Sequence, residues 1–142
     1  MSDQLLLAML EDDEDRLTRF RAILAHKSPS VTLHAWPSAH DFIREFPSLE
    51  FSPSLISLDH DLVPLNPGDP DPGDGRQVAA FLAARSPCCP VLIHSSNAWA
   101  ADSMYFTLLD TGWNVALTAP IGDDWIESYW FPTARQHLKR IN

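Results

Sequence analysis

The feature that most limits the folds open to this chain is a recurrent unit: a short, unbroken apolar run that stops abruptly at polar residues. Leu5-Leu6-Leu7-Ala8-Met9-Leu10 stops at Glu11-Asp12-Asp13. Leu55-Ile56-Ser57-Leu58 runs into Asp59-His60-Asp61, and Pro90-Val91-Leu92-Ile93 ends at His94-Ser95-Ser96-Asn97. Runs of this kind suit strands buried on both faces, as in a parallel sheet. Val31 to Trp36 alternates weakly and predicts another strand, and Asn114 to Thr118 a short fifth one.

Helical periodicity fills the intervals. Leu17, Phe20, Ile23 and Leu24 recur at helical spacing between Asp15 and His26. Ser38 is a candidate N-cap for a helix carrying Phe42, Ile43 and Phe46. Arg76 to Arg85 turns Val78, Phe81 and Leu82 inward, and Ala98 to Leu109 is closed by Gly112. Asp123 or Asp124 opens a last helix, interrupted at Pro132 and running to about Lys139. Strand then helix, five times over, predicts an α/β fold with a five-stranded parallel sheet and helices on both faces. A length of 142 residues suits one such domain, 1–142, in which the Pro- and Gly-rich stretch 64–75 is a loop insertion, not a linker.

Charge narrows the function classes. The net charge of -9 argues against extended binding to duplex nucleic acid, which needs Lys and Arg against phosphates. A site for one nucleic-acid end stays open. Met1 to Gln4 lacks the basic start of a signal peptide, and Leu5 to Leu10 is too short to span a bilayer. Adjacent Cys88 and Cys89 neither pair well nor complete a zinc site. The expectation is a cytoplasmic protein with reduced thiols and no membrane partner.

Ligands of open parallel sheets bind beyond the carboxyl ends of the strands. There this sequence gathers Asp12 and Asp13, then Asp59, His60 and Asp61, then His94, Ser95, Ser96 and Asn97. Crowded carboxylates repel unless a cation or a shared proton offsets them, and hard oxygen ligands suit Mg²⁺ or Mn²⁺. A neighbouring histidine supplies acid–base chemistry near neutral pH. Glu11, Glu14 and Asp15 read instead as the acidic start of the following helix. His26, His34, His40 and His137 read as ordinary surface or core residues, and most of the aromatic second half as core. Trp99, close behind Asn97, is a weaker candidate for stacking on a ring at the site mouth. Asp69, Asp71 and Asp74 do not make a calcium loop, because Gly73 stands where an oxygen ligand is needed and no distal Glu follows.

These stretches resemble the receiver domain of response regulators. Leu5 to Asp13 looks like its first strand and acidic pair, and Pro53 to Asp59 like the strand bearing the phosphoacceptor aspartate. Asp74-Gly75, Val91 to Ser95 and Ala119-Pro120 look like later receiver landmarks. The resemblance implies a flavodoxin-like strand order 2-1-3-4-5. The receiver lysine is missing, because Ala119 follows Thr118 in its place, which removes a group that helps bind an acyl phosphate.

Asp59-His60-Asp61-Leu62 with His94 to Asn97 is similar to a divergent receiver family that processes cyclic phosphates, RNA ends among them. That resemblance implies His60 and His94 as an acid–base pair with Asp59. It also implies that Asp12, Asp13, Asp59 and Asp61 hold a divalent metal or orient the histidines; Ser95, Ser96 and Asn97 are the candidate substrate contacts. The expected partner is a phosphorylated small molecule or a nucleic-acid end. The alternative is a catalytically inactive pseudo-receiver that works as a signalling module through a protein partner or a homodimer, and a phospho-receiver using Asp59 is the third reading. Alternation along a strand adds one condition: His94 and Ser95 share a site only if their strand has already ended.

Overall fold

A computed structural model describes residues 4–64 and 66–139. Of the readings above, those on Met1 to Asp3 lie outside the described residues. The strands are β1 (Leu5–Leu10), β2 (Val31–Trp36), β3 (Leu55–Leu58), β4 (Val91–Ile93) and β5 (Val115–Leu117). The helices are α1 (Glu14–Lys27), α2 (Ala39–Glu45), α3 (Gly75–Ala83), α4 (Ala98–Leu109) and α5 (Phe131–Lys139). The strands pair in parallel in the order β2-β1-β3-β4-β5, as the receiver resemblance implies.

Alternation along the strands splits the core into two layers. Ala8, Leu10, Ile56, Leu58, Val91 and Ile93 face α2, α3 and α4. Leu7, Met9, Leu55 and Leu92 face the opposite way, onto Phe20 and Leu24 of α1 and onto Trp130, Ala134 and Leu138 at the C-terminal end. Every residue of β3 and β4 is buried, which is why these strands read as unbroken apolar runs. Edge strand β2 alternates in burial, in keeping with its weaker pattern.

Local chemistry sets the helix ends. Asp13 caps α1 by accepting from the Arg16 N–H, and Ser38 caps α2 by accepting from Asp41. Asp74 and Gln77 form a reciprocal capping box at α3, and Asn97 caps α4 through the Ala100 N–H. The last helix is not broken at Pro132. A π-helical stretch, Ile126–Trp130, precedes it and leads straight into α5. On an α-helix, residues five apart diverge by roughly 140°. The wider π register lets both Trp125 and Trp130 face Phe20, at ring distances of 5.8 and 4.5 Å.

The 64–75 stretch forms no helix or strand among its described residues before Gly75. Cys88 and Cys89 are free thiols with sulfurs 3.8 Å apart. Among the described residues no helix is long and apolar enough to cross a membrane. Trp36, Trp113, Trp125 and Trp130 are buried, whereas Trp99 is 90% exposed on α4.

Gly75 brings the start of α3 against the end of β3. Its N–H donates to the His60 carbonyl, and a Cβ there would lie 2.2 Å from the Asp59 carbonyl oxygen and 2.9 Å from the His60 Cα. Backbone cannot yield as a side-chain tip does. Gly75→Ala is therefore expected to cost about 1–3 kcal/mol of stability. A urea melt checks this; an unchanged midpoint would show that the loop is loose enough to absorb the methyl.

Candidate functional site

The parallel ladder continues one residue past the ends of the central strands. Asp59 N–H donates to the Leu10 carbonyl, and His94 N–H to the Leu58 carbonyl. Glu11 N–H likewise donates to the carbonyl of Trp36. Glu11, Asp59 and His94 therefore stand at one level across β1, β3 and β4. They also share the parity of Leu7, Met9, Leu55 and Leu92, which turns them towards α1.

The resulting cluster is largely buried. Glu11 and His94 have no exposed surface, and Asp59 has little. His94 Nε2 lies 3.1 Å from Glu11 Oε1, and His94 Nδ1 lies 2.7 Å from the Ser57 hydroxyl. The Trp130 indole N–H donates to that hydroxyl at 3.0 Å. Phe20 meets the imidazole edge-on at 5.3 Å, and Trp125 stacks over it at 6.1 Å. The second Glu11 oxygen accepts from the backbone N–H groups of Asp12 and Asp13, both at 3.1 Å. Arg16, from the first turn of α1, sets its guanidinium 3.7 Å from both Glu11 Oε1 and Asp59 Oδ2, and over the Trp125 ring.

Of the residues the sequence marks for metal, Asp12 and Asp59 come together with Glu11: one oxygen from each lies within 4.8 Å of the others. Oxygens that share Mg²⁺ sit about 4.2 Å apart at most, so a small closure of this all-carboxylate set fits such an ion. Asp13 and Asp61 stand outside that group. Asp13 is exposed and caps α1, and Asp61 accepts from His60.

His60 occupies a different setting from His94. Its Nδ1 lies 2.7 Å from Asp61 Oδ1, its Nε2 lies 3.7 Å from Asp74 Oδ2, and that nitrogen has no hydrogen-bond partner. No hydrogen bond or ring contact joins the two imidazoles among the described residues. Asp59 reaches His60 through its backbone: Asp59 Oδ1 accepts from the His60 N–H at 2.8 Å.

The β4 strand has ended before His94, yet the alternation persists. His94 faces α1, while Ser95 lines a groove of about 410 Å³ with Ile93, Ala101, Leu117 and Thr118. Ser95 Oγ accepts from the Asn97 N–H, Asn97 caps α4, and Ser96 is exposed.

Glu11 and Arg16 are the residues that reading along the chain misses. An acidic residue before a helix usually serves the helix N-terminus. The overlooked signal is parity, because Glu11 continues the Leu7–Met9 face of β1.

Electrostatics divides the carboxylates. Burial would raise Glu11, but the His94 contact, the Asp13 N–H and Arg16 outweigh it and hold the carboxyl below its usual range. Burial raises Asp59 to about 6, with the neighbouring Glu11 charge adding to the effect. Burial also raises Asp12, against the Val63 N–H that its side chain accepts at 2.7 Å.

A folded-state value above the unfolded one means that the folded protein holds the extra proton between them. The Asp59 contribution therefore weakens stability as pH climbs from about 4 to about 6, on the order of 3 kcal/mol in all. Glu11 acts with the opposite sign, stabilising above its unfolded value and losing that effect as pH falls. Asp59→Asn is expected to be more stable than wild type at neutral pH, with the difference closing towards about pH 4. Urea midpoints of both proteins across that range check it. A gap that does not change with pH would dissociate Asp59 from the effect.

The sequence matches the family described as the cyclic-phosphate processing receiver domain over residues 8–110. No curated protein matches it. Among solved structures, the isolated receiver domain of RcsB from Salmonella enterica serovar Typhimurium, with a phosphomimetic BeF3-, aligns at 15% identity with a TM-score of 0.65. That alignment covers 97% of this chain and 90% of that one. The signal receiver domain of an HD domain-containing protein from Pseudomonas fluorescens Pf-5 aligns at 15% identity and TM-score 0.69, over 96% of each chain. The response regulator domain of Thermotoga maritima CheB aligns at 13% identity and TM-score 0.62, over 95% of this chain and 96% of that one. At these identities the likeness speaks for the receiver fold, and the family match over residues 8–110 says more: this chain belongs to the cyclic-phosphate processing receiver domain family.

Proposed function

We propose that this chain opens a cyclic phosphate, on a small molecule or at a nucleic-acid end, with Mg²⁺ or Mn²⁺ held at the acidic rim. The observation that carries this reading is the convergence of Glu11, Asp12 and Asp59 at the ends of β1 and β3. When bound, the cation supplies positive charge to a phosphate oxygen. In hydrolysis, a water oxygen gives up one proton to a base and bonds to phosphorus, one ring P–O bond breaks, and the departing oxygen takes up a proton.

His60 is the histidine we assign to proton transfer. Asp61 accepts at Nδ1, which favours the tautomer whose Nε2 carries a lone pair. That nitrogen has no hydrogen-bond partner and is itself buried, so substrate must open the site to meet it. Asp59 joins the two halves of the site through the His60 N–H and its approach to Arg16. Arg16 offers a second positive charge, from the α1 side, in a site without the receiver lysine. Ser96, exposed at the end of β4, is the hydroxyl open to substrate, while Ser95 and Asn97 hold the turn that presents it.

The test is hydrolysis of a panel of nucleoside 2′,3′-cyclic phosphates with Mn²⁺ or Mg²⁺. Wild type is expected to turn over at least one member, and His60→Ala to lose about 10²–10⁴-fold, as removal of a general acid–base does. Turnover unaffected by His60→Ala, or by chelation of the metal, would defeat the proposal.

A second reading rests on a different observation. Leu117, Ile121 and Tyr129 are exposed around β5 and the π-helical stretch, beside the groove that Ser95 lines. An apolar face of this kind suits a protein partner or a second copy of the chain. It predicts a dimer by sedimentation that Ile121→Glu dissociates. A monomer at all accessible concentrations would leave this face without a self-association role.

A further inference from the structure

We infer that His94 is a positioning residue, not an acid–base group: a buried donor chain running from Trp130 through Ser57 and His94 aims the Glu11 carboxylate at the rim. The inference starts from the end of the chain whose polarity is not in question. An indole nitrogen only donates. Trp130 Nε1–H therefore gives its hydrogen to Ser57 Oγ.

The Ser57 hydroxyl then has its own hydrogen to place. Ser57 is fully buried, and the only other polar partner of its side chain among the described residues is His94 Nδ1, at 2.7 Å. If Ser57 donates there, Nδ1 accepts and carries no hydrogen. The ring hydrogen sits on Nε2, which faces Glu11 Oε1 at 3.1 Å, and a carboxylate only accepts. Every donor in the line Trp130, Ser57, His94, Glu11 then meets an acceptor. A hydrogen on Nδ1 would instead strand the Ser57 hydroxyl hydrogen in a dry site, which costs about 1–3 kcal/mol.

Occupancy of both ring nitrogens argues against the acid–base role. His94 has no exposed surface and is enclosed by Phe20 and Trp125. Its site-facing nitrogen is spent on Glu11, itself fully buried, so no substrate oxygen reaches the ring without displacing that carboxylate. What the ring controls is Glu11. One oxygen receives Nε2–H, and the other receives the N–H groups of Asp12 and Asp13. The carboxylate is gripped from both ends while the Oε1 side still faces Arg16 and Asp59. The π register of Ile126–Trp130 gains a function here, because it turns the terminal donor inward.

The protonation pattern stands without any metal; its effect on metal affinity rests on the reading proposed above. The closing experiment separates the two. In wild-type protein labelled with ¹⁵N-histidine, the His94 ring is expected to show a protonated, exchange-protected Nε2 and an unprotonated Nδ1 at neutral pH. A hydrogen on Nδ1 would overturn the inference. Ser57→Ala removes the lock and is expected to bring the Nδ1–H form into the spectrum; an unaltered ring spectrum would also overturn it.

Mn²⁺ affinity, followed by electron paramagnetic resonance, reads the consequence. His94→Asn, whose amide stops near the Nδ1 position, is expected to weaken binding about 10–100-fold, as loss of a group that orients a metal ligand does. His94→Gln, whose amide reaches the Nε2 position, is expected to recover most of that loss. Equal affinities of the Asn and Gln variants would refute the positioning role. Wild type that binds no Mn²⁺ would remove the metal from the function, and the ¹⁵N spectrum would still decide the donor chain.

Discussion

A carboxylate and an imidazole buried beneath the rim of a parallel sheet must satisfy one another, and the contact between Glu11 and His94 is where this protein meets that requirement. Both residues have no exposed surface. A buried carboxylate needs donors and a buried ring N–H needs an acceptor, so each residue satisfies the other. The pairing depends on geometry that begins far from it. Parallel registry between β1, β3 and β4 sets the two residues at one level, and alternation turns both towards α1. Ser57, two residues before Asp59 on the same face, and Trp130 from the C-terminal segment complete the polar line.

This arrangement divides the strand-end site into two zones. Beneath the rim lies the dry set of Glu11, His94 and Ser57, packed against Phe20, Trp125 and Trp130. Nearer to solvent lie Asp12, Asp59, His60 and Asp61, linked by short hydrogen bonds to the loop after β3. The division explains why the carboxylates behave differently. Glu11 gains enough donors to stay ionised despite burial, whereas Asp59, with fewer, is pushed up to about 6. A cation brought to the rim relieves Asp59 more than Glu11. Positive charge already enters from one direction: Arg16 reaches both carboxylates from α1, on a chain that has Ala119 in place of the receiver lysine.

The sheet order is that of the receiver fold that the neighbouring structures show. Gly75 still closes α3 onto the end of β3, and that close approach sets the path of the loop carrying His60 and Asp61. On the α1 face a glutamate, a histidine and two tryptophans stand around Phe20.

Much of the architecture was legible along the chain because its cause is local. The unbroken apolar runs of β3 and β4 follow from burial on both faces, and Ser38 and Asn97 cap their helices through neighbouring N–H groups. The strand ends likewise marked Asp12, Asp59, His60 and His94 as neighbours of one rim. Which of them meet was not legible, because it depends on registry between strands distant in sequence. Glu11 read as a helix-start residue until β1 was aligned with β3 and β4. The two histidines read as an acid–base pair; only the structure shows their different partners, Glu11 and Ser57 for His94 and Asp61 for His60. Pro132 read as a break, where a π turn in fact absorbs it. Sequence alone determined which residues stand at the ends of the strands, since hydrophobic runs and their stops are written locally. Only the tertiary structure decided which side chains face one another and which are dry, since direction and burial depend on what packs against each strand.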